Sequence, residues 1–194
     1  MIRIVGGRWR GRRLGTLPGA ATRPALEAHR ERLMQILGPD LSGTRVLDLF
    51  AGSGAFGLEC VSRGAERAVL VEKARPALAV IRASLEVLKP EPGAVELVAG
   101  DAYRLPVGEG RFDLVFVAPP YPHFQAERER LEALLAALPG HLAEGGVVVV
   151  QSEAGAFASF LHRGLACRDS RRMGQTDFAL LVVSAGEDSP IRAN

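Results

Sequence analysis

Apolar positions along the chain fall into short strand-like runs that alternate with longer helix-like stretches. Arg45–Phe50, Ala68–Glu72, Val95–Ala99, Asp113–Val117 and Gly146–Gln151 are runs of Val, Leu and Phe with little polar alternation, the pattern of strands buried on both faces. Between and after them, Ala55–Arg63, Pro76–Leu88, Gln125–Leu138 and Ala154–Arg163 carry apolar residues at helical spacing. A further helix is predicted from Pro24, whose fixed φ suits a first helical position, through Leu37, with Leu26, Leu33 and Leu37 on one face and Gly38-Pro39 as its stop. Cys167–Arg172 and Phe178–Ser184 are strand-like with no helix between them, which predicts an antiparallel hairpin at one edge. Ahead of all of these, Ile2–Val5 and Gly11–Leu14 read as a small hairpin, and Pro18 to Pro24 as a loop. The alternation predicts an α/β, Rossmann-like fold: a mostly parallel seven-stranded sheet covered by helices, with an antiparallel edge hairpin and a small basic N-terminal arm. The arm and first helix are expected over residues 1–40, the principal domain over 41–186 and a frayed polar tail over 187–194.

A length of 194 residues fits one core. No apolar run approaches the roughly 18–20 residues of a membrane helix, and the N-terminus lacks the apolar region of a secretory signal, so a cytoplasmic location is expected. Cys60 and Cys167 form no Cys-x-x-Cys and are expected as buried thiols. With His29, His123, His141 and His162 scattered, no metal site is expected. The net charge of +2 is unevenly spread: residues 1–32 hold eight arginines against Glu27 and Glu31, a balance of +6, which leaves −4 for the remainder. Gly6-Gly7-Arg8-Trp9-Arg10-Gly11-Arg12-Arg13 packs four arginines and an aromatic ring into eight residues without an acid. With Arg23, these residues suit phosphates and unstacked bases, and the segment reads as a mobile RNA-binding arm.

The first predicted strand of the principal domain runs into Asp48-Leu49-Phe50-Ala51-Gly52-Ser53-Gly54, and Gly57 completes a Gly-x-Gly-x-x-Gly spacing. Glu72 ends the next strand, followed by Lys73, and Asp101-Ala102 follows the third. Glycines at such a turn let a ligand approach the backbone, and the acid at the second strand end can take ribose hydroxyls. That spacing alone fits a dinucleotide. Asp48 separates the readings, because a carboxylate just ahead of the turn repels a pyrophosphate and favours a cation. S-adenosylmethionine, with an ammonium and a sulfonium but no phosphate, is the expected ligand. Phe50, Ala51, Ser53 and the glycines would line its cleft, Glu72 would bind the ribose and Asp101 would lie near the adenine amine.

After the fourth strand stands Ala118-Pro119-Pro120-Tyr121. Two prolines fix a rigid turn at a strand's carboxyl end, where open α/β sheets bind ligands, and Tyr121 offers a ring beside it. This segment resembles the Asp/Asn-Pro-Pro-Tyr motif of methyltransferases that act on exocyclic amines of bases or on glutamine amides. The resemblance implies that loop carbonyls accept hydrogen bonds from the target amine while Tyr121 stacks on the base.

With Arg3–Arg12, Thr22-Arg23-Pro24, Val46–Gly54, Gly57-Leu58-Glu59, Ser62–Ala65 and Met173–Thr176 included, nearly the whole chain resembles the bacterial D-type small-subunit rRNA guanine-N2 methyltransferases. That resemblance implies a class I methyltransferase fold and methylation of one guanine in 16S rRNA on the small subunit or its assembly intermediate. It also implies Ala118, Pro119, Pro120 and Tyr121 as the acceptor site. A monomer is expected. The chain departs from the pattern at Ala118, where Asp or Asn is usual, at Ala25–Glu31, which lacks a Thr-rich start, and at Ser84, where Asn is usual. A non-catalytic RNA-binding assembly factor and an adenine-N6 or glutamine-amide methyltransferase remain open alternatives.

Overall fold

In the computed structural model, residues 2–17, 24–108, 110–160 and 163–184 are described. The expected loop at 18–23, with Arg23, and the expected tail lie outside these residues. The chain forms two compact units, 1–101 and 102–194.

The first unit opens with β1 (Ile2–Arg3) paired antiparallel to β2 (Arg13–Leu14). This hairpin is shorter than the expected one, because residues 6–11 turn in a series of backbone bonds that includes Arg10 N–H to the Gly7 carbonyl at 3.1 Å. Helix α1 (Pro24–Leu37) follows as predicted, with Leu33 and Met34 buried. Next come β3 (Arg45–Leu49), α2 (Ala55–Ser62), β4 (Arg67–Glu72), α3 (Arg75–Leu88) and β5 (Val95–Ala99). Strand β4 lies between β3 and β5, and all three run parallel. The apolar runs of β3 and β4 are buried as expected, while β5 is only partly covered.

The second unit starts with a single 3-10 turn, Ala102–Arg104. Strand β6 (Phe112–Val117) leads to α4 (His123–Ala126) and α5 (Arg128–Ala137), followed by β7 (Leu142–Glu153), β8 (Leu165–Met173) and β9 (Thr176–Val183). Strand β7 is parallel to β6 and antiparallel to β9, and β8 and β9 form the expected hairpin. The seven strands β3 to β9 make the mostly parallel sheet predicted from the sequence.

Two predicted helices differ. The one over 125–138 is broken at Glu127, whose φ of −122° and ψ of 28° leave the helical region, into α4 and α5. Over 154–163 the described residues form no helix, since 154–159 are turns; residues 161 and 162 lie outside the described residues. Gly155 sits at φ +82° where a first helical turn would begin, and Asp177 takes its N–H at 2.7 Å. Phe157 and Phe160 stack on one another and meet the edge of Phe124, so their three-residue spacing serves a turn packed on α4. Cys60 is buried as expected, whereas Cys167 is only partly buried.

Candidate active site

Three parallel strands of the first unit end with the expected acids. Past β3 the chain turns at Phe50 with φ 62°, Gly52 with φ 57° and Gly54 with φ 75°, a left-handed series that two glycines accommodate without a Cβ penalty. Ala51 N–H is held by the Val71 carbonyl at 3.0 Å and Gly54 N–H by that of Ala51 at 2.7 Å. Glu72, closing β4, grips the turn: Oε2 accepts Gly52 N–H at 2.8 Å, and Oε1 accepts Lys73 and Ala74 N–H, each at 2.8 Å. A carboxylate has about four acceptor positions, so Oε2 keeps one for a hydroxyl. A Cβ placed on Gly52 would meet nothing closer than the Phe50 carbonyl at 3.9 Å, so the turn is open at that point. Asp101, after β5, is partly buried, with Lys73 Nζ 3.8 Å from Oδ1, and Ala102 beside it in sequence is buried.

Asp48 corrects the expectation of a charge presented to the ligand: it is only 1% exposed, and its Oδ2 is turned inward to accept Gly57 N–H at 3.0 Å in the first turn of α2. Gly57 is required there, since a Cβ would fall 2.1 Å from Leu70 Cδ2. Burial pushes the Asp48 carboxyl up to about 7; the Gly57 N–H opposes this and the charge on Glu72 adds to it. The stability this group contributes is therefore fully present below its ordinary value of 3.8 and lost as pH rises to about 7, at up to about 1.4 kcal/mol per pH unit. Asp48→Asn stays neutral and can still accept the Gly57 N–H through Oδ1. Its melting-temperature advantage over the parent is expected to grow between pH 4 and 7 and level off above. A difference that does not vary with pH would mean that Asp48 ionises at its ordinary value.

In the second unit, Ala118 follows β6 half-buried, Pro119 is buried, and Pro120 and Tyr121 are exposed. The loop turns directly into α4: the Pro120 carbonyl accepts His123 N–H at 2.9 Å and the Tyr121 carbonyl accepts Phe124 N–H at 3.1 Å. Tyr121 presents 37% of its surface and shares a 3.0 Å hydrogen bond between its hydroxyl and Thr176 Oγ1.

The N-terminal arm is docked, not mobile. Glu59 on α2 is fully buried and accepts Val5 N–H at 2.9 Å, Gly6 N–H at 2.8 Å and Arg63 Nε at 2.9 Å, with Arg30 Nε at 3.6 Å. Ser62 donates its hydroxyl to the Gly6 carbonyl at 2.6 Å and accepts Trp9 N–H at 2.9 Å, while its carbonyl takes Arg8 N–H at 2.7 Å. Gly7 passes so close that a Cβ would lie 1.8 Å from the Ser62 carbonyl oxygen. Arg8, Arg10, Arg12 and Arg13 are exposed, as an RNA contact requires. Trp9 corrects the expectation for the arm: 8% exposed, with the Arg8 guanidinium 4.5 Å above its ring, it anchors the arm instead of offering a face to a base. In the sequence Glu59, Ser62 and Arg63 stand out only as motif residues; the one local signal of a clamp is a glutamate inside an otherwise apolar helix.

Residues 2–182 match the family described as "Conserved hypothetical protein 95". The chain belongs to this family. Ribosomal RNA small subunit methyltransferase D of Escherichia coli (strain K12) is 37% identical over 155 residues, covering 78% of this chain and 75% of that protein. The protein of the same name in Haemophilus influenzae is 32% identical over 136 residues, covering 69% and 70%. The solved structure of yhhF from Escherichia coli is 33% identical with a TM-score of 0.77, covering 95% of this chain and 99% of that one. The fold is that of the class I methyltransferases, as the resemblance implied. Among the described residues no helix is long and apolar enough to cross a membrane.

Proposed function

We propose that this chain transfers a methyl group from S-adenosylmethionine to the exocyclic N2 of a guanine in 16S rRNA, as a monomer acting on the small subunit or its assembly intermediate. The observation that carries the choice of donor is the bond from Gly57 N–H to Asp48. A helix N-terminus next to a glycine turn is a ready anion site, and here one of its first-turn N–H groups, that of Gly57, is already taken by the buried Asp48 carboxyl. A pyrophosphate seated on that N–H would have to displace the Asp48 carboxyl, whereas a phosphate-free cationic nucleoside need not. The residues fit such a ligand. The open side of Gly52, with Phe50, Ala51, Ser53 and Gly54, would receive the donor; the remaining position on Glu72 Oε2 would accept a ribose hydroxyl, and Asp101 and Ala102 would hold the adenine. Asp48 acts chiefly by fixing the turn.

The donor supplies a methyl carbon made electrophilic by its sulfonium. The chain's own work is to hold the acceptor amine for in-line attack, and the entropy this saves is the main source of rate. A guanine amine is a weak nucleophile, because its lone pair is delocalised into the ring. The Ala118 and Pro119 carbonyls accept its N–H groups, which favours the tilted, more nucleophilic geometry. Tyr121 stacks on the base. The amine proton becomes acidic only once the methyl is attached, so a strong general base is not needed. A base within a stacked helix is out of reach for such attack, so the target is unpaired or flipped out.

Membership alongside relatives named for the small-subunit RNA supports the substrate, and the exposed arginines support how it is gripped. Replacing Arg8, Arg10, Arg12 and Arg13 together with alanine is expected to weaken RNA binding and flatten its salt dependence, by about 0.7 in log–log slope for each phosphate of single-stranded RNA that an arginine ceases to neutralise. Affinity for the donor should be unchanged. An unaltered salt slope would remove the arm from the interface. For the donor itself the test is calorimetry: S-adenosylmethionine binds and a nicotinamide dinucleotide does not, and the reverse result would overturn the reading.

A further inference from the structure

We propose that Thr176 is a positioning residue for the acceptor loop, holding the Tyr121 ring in the orientation in which it meets a base; this rests on the function proposed above. Tyr121 is exposed and follows two prolines, so nothing in its own segment fixes where its ring points. Its hydroxyl is the one polar handle it has, and that handle reaches Thr176 Oγ1 at 3.0 Å. Thr176 is 4% exposed, and a buried hydroxyl left without a partner is costly, so the bond matters to both residues.

The anchor is rigid. Thr176 opens β9 directly after the turn at Gly174, whose φ is 62°, and is paired in the ladder with both Met173 and Glu153. The neighbouring Asp177 forms a two-pronged pair with Arg172, Nε to Oδ1 and Nη2 to Oδ2 at 2.8 Å each, and also takes Gly155 N–H. Ala154 N–H reaches the Gln175 carbonyl at 3.0 Å. The tip of the β8–β9 hairpin is therefore stapled on both sides, and its position is passed to Tyr121 through a single hydrogen bond. The far end of the loop has a second tether. His123 Nδ1 is 3.0 Å from the Tyr103 hydroxyl, with the rings stacked at 6.0 Å, and Arg130 covers Tyr103 at 4.4 Å. Two side-chain bonds thus bracket the segment from 121 to 123, in a chain whose Ala118 contributes no acceptor side chain to hold the amine.

The test is a double-mutant cycle on single-turnover methyl transfer. Thr176→Val and Tyr121→Phe are each expected to slow transfer roughly five- to tenfold, the size of one broken hydrogen bond. The double variant should be no slower than either single one, because both remove the same bond. Thr176→Ser should recover the rate, and the dissociation constant for the donor should not move in any variant. Additive losses, or a Thr176→Val enzyme as fast as the parent, would overturn the proposal. Tyr121→Phe alters an exposed side chain and keeps the cycle readable if Thr176→Val folds poorly.

A second readout needs no activity. The chain has only two tyrosines, so protein labelled with 3-fluorotyrosine gives two fluorine resonances, assigned with Tyr121→Phe. Thr176→Val should move the Tyr121 resonance and leave that of Tyr103 in place. A Tyr121 resonance that stays put overturns the tether even if the parent protein is active. A parent that transfers no methyl, with the resonance moving as expected, would count against the function proposed above and leave the tether standing.

Discussion

Substituting glutamine for Glu59 is expected to undock the N-terminal arm and to cost about 3–5 kcal/mol of stability, the scale for breaking a buried ion pair on one side only. Glu59 is fully buried, and its two oxygens face nothing but donors: the N–H groups of Val5 and Gly6, the Arg63 guanidinium and, further off, Arg30. An amide in its place turns an NH2 group toward at least one of those donors and withdraws the negative charge from the buried guanidinium of Arg30 and the partly buried one of Arg63. Arg30 is the more exposed to that loss. Burial already pulls its pKa below the ordinary value, and the charge on Glu59 is the main influence opposing it. The Arg30 side chain also donates to the Arg3 carbonyl, so its displacement loosens β1 as well. Trp9 is the only tryptophan and is buried by the docked arm. A red-shifted emission together with a lower urea midpoint would report undocking. Unchanged emission and midpoint would mean that Glu59 does not hold the arm.

The second large effect is a gain. Asparagine at Ala118 would restore a side-chain oxygen beside the loop carbonyls. A hydrogen bond to the reacting amine is worth about 1–3 kcal/mol, so Ala118→Asn is expected to raise the single-turnover rate by roughly one to two orders of magnitude. The parent protein should nevertheless be active, since positioning carries most of the barrier reduction and the Ala118 and Pro119 carbonyls are kept. A completely inactive parent rescued by Ala118→Asn would favour the RNA-binding assembly factor. An unchanged rate would show that no side-chain acceptor is needed there.

What could be read from the sequence was what is local. The runs that became β3, β4 and β6 were legible because a strand covered on both faces needs no partner to reveal itself. The glycine turn was legible because its left-handed residues and its acids lie within a few positions of strand ends. The residues that were not legible act across long sequence separations. Glu59 meets Val5 and Gly6 more than 50 positions away, and Thr176 meets Tyr121 across 55, so neither role has a nearby pattern. The helix expected over 154–163 failed for the same reason: Phe157 and Phe160 have helical spacing, but Asp177, 22 residues on, captures the N–H of Gly155 and fixes a turn. The arginines around Trp9 in sequence point to a contact with bases; in the fold, Ser62 takes its N–H and its ring is packed away.

The most direct test offers the protein S-adenosylmethionine carrying a labelled methyl group alongside unmodified small subunits, naked 16S rRNA, DNA and release-factor protein, each in a separate reaction. The expected result is label in 16S rRNA alone, recovered after nuclease digestion as N2-methylguanosine. Label in DNA or protein, label recovered as N6-methyladenosine, or no transfer to any of the four would contradict the account.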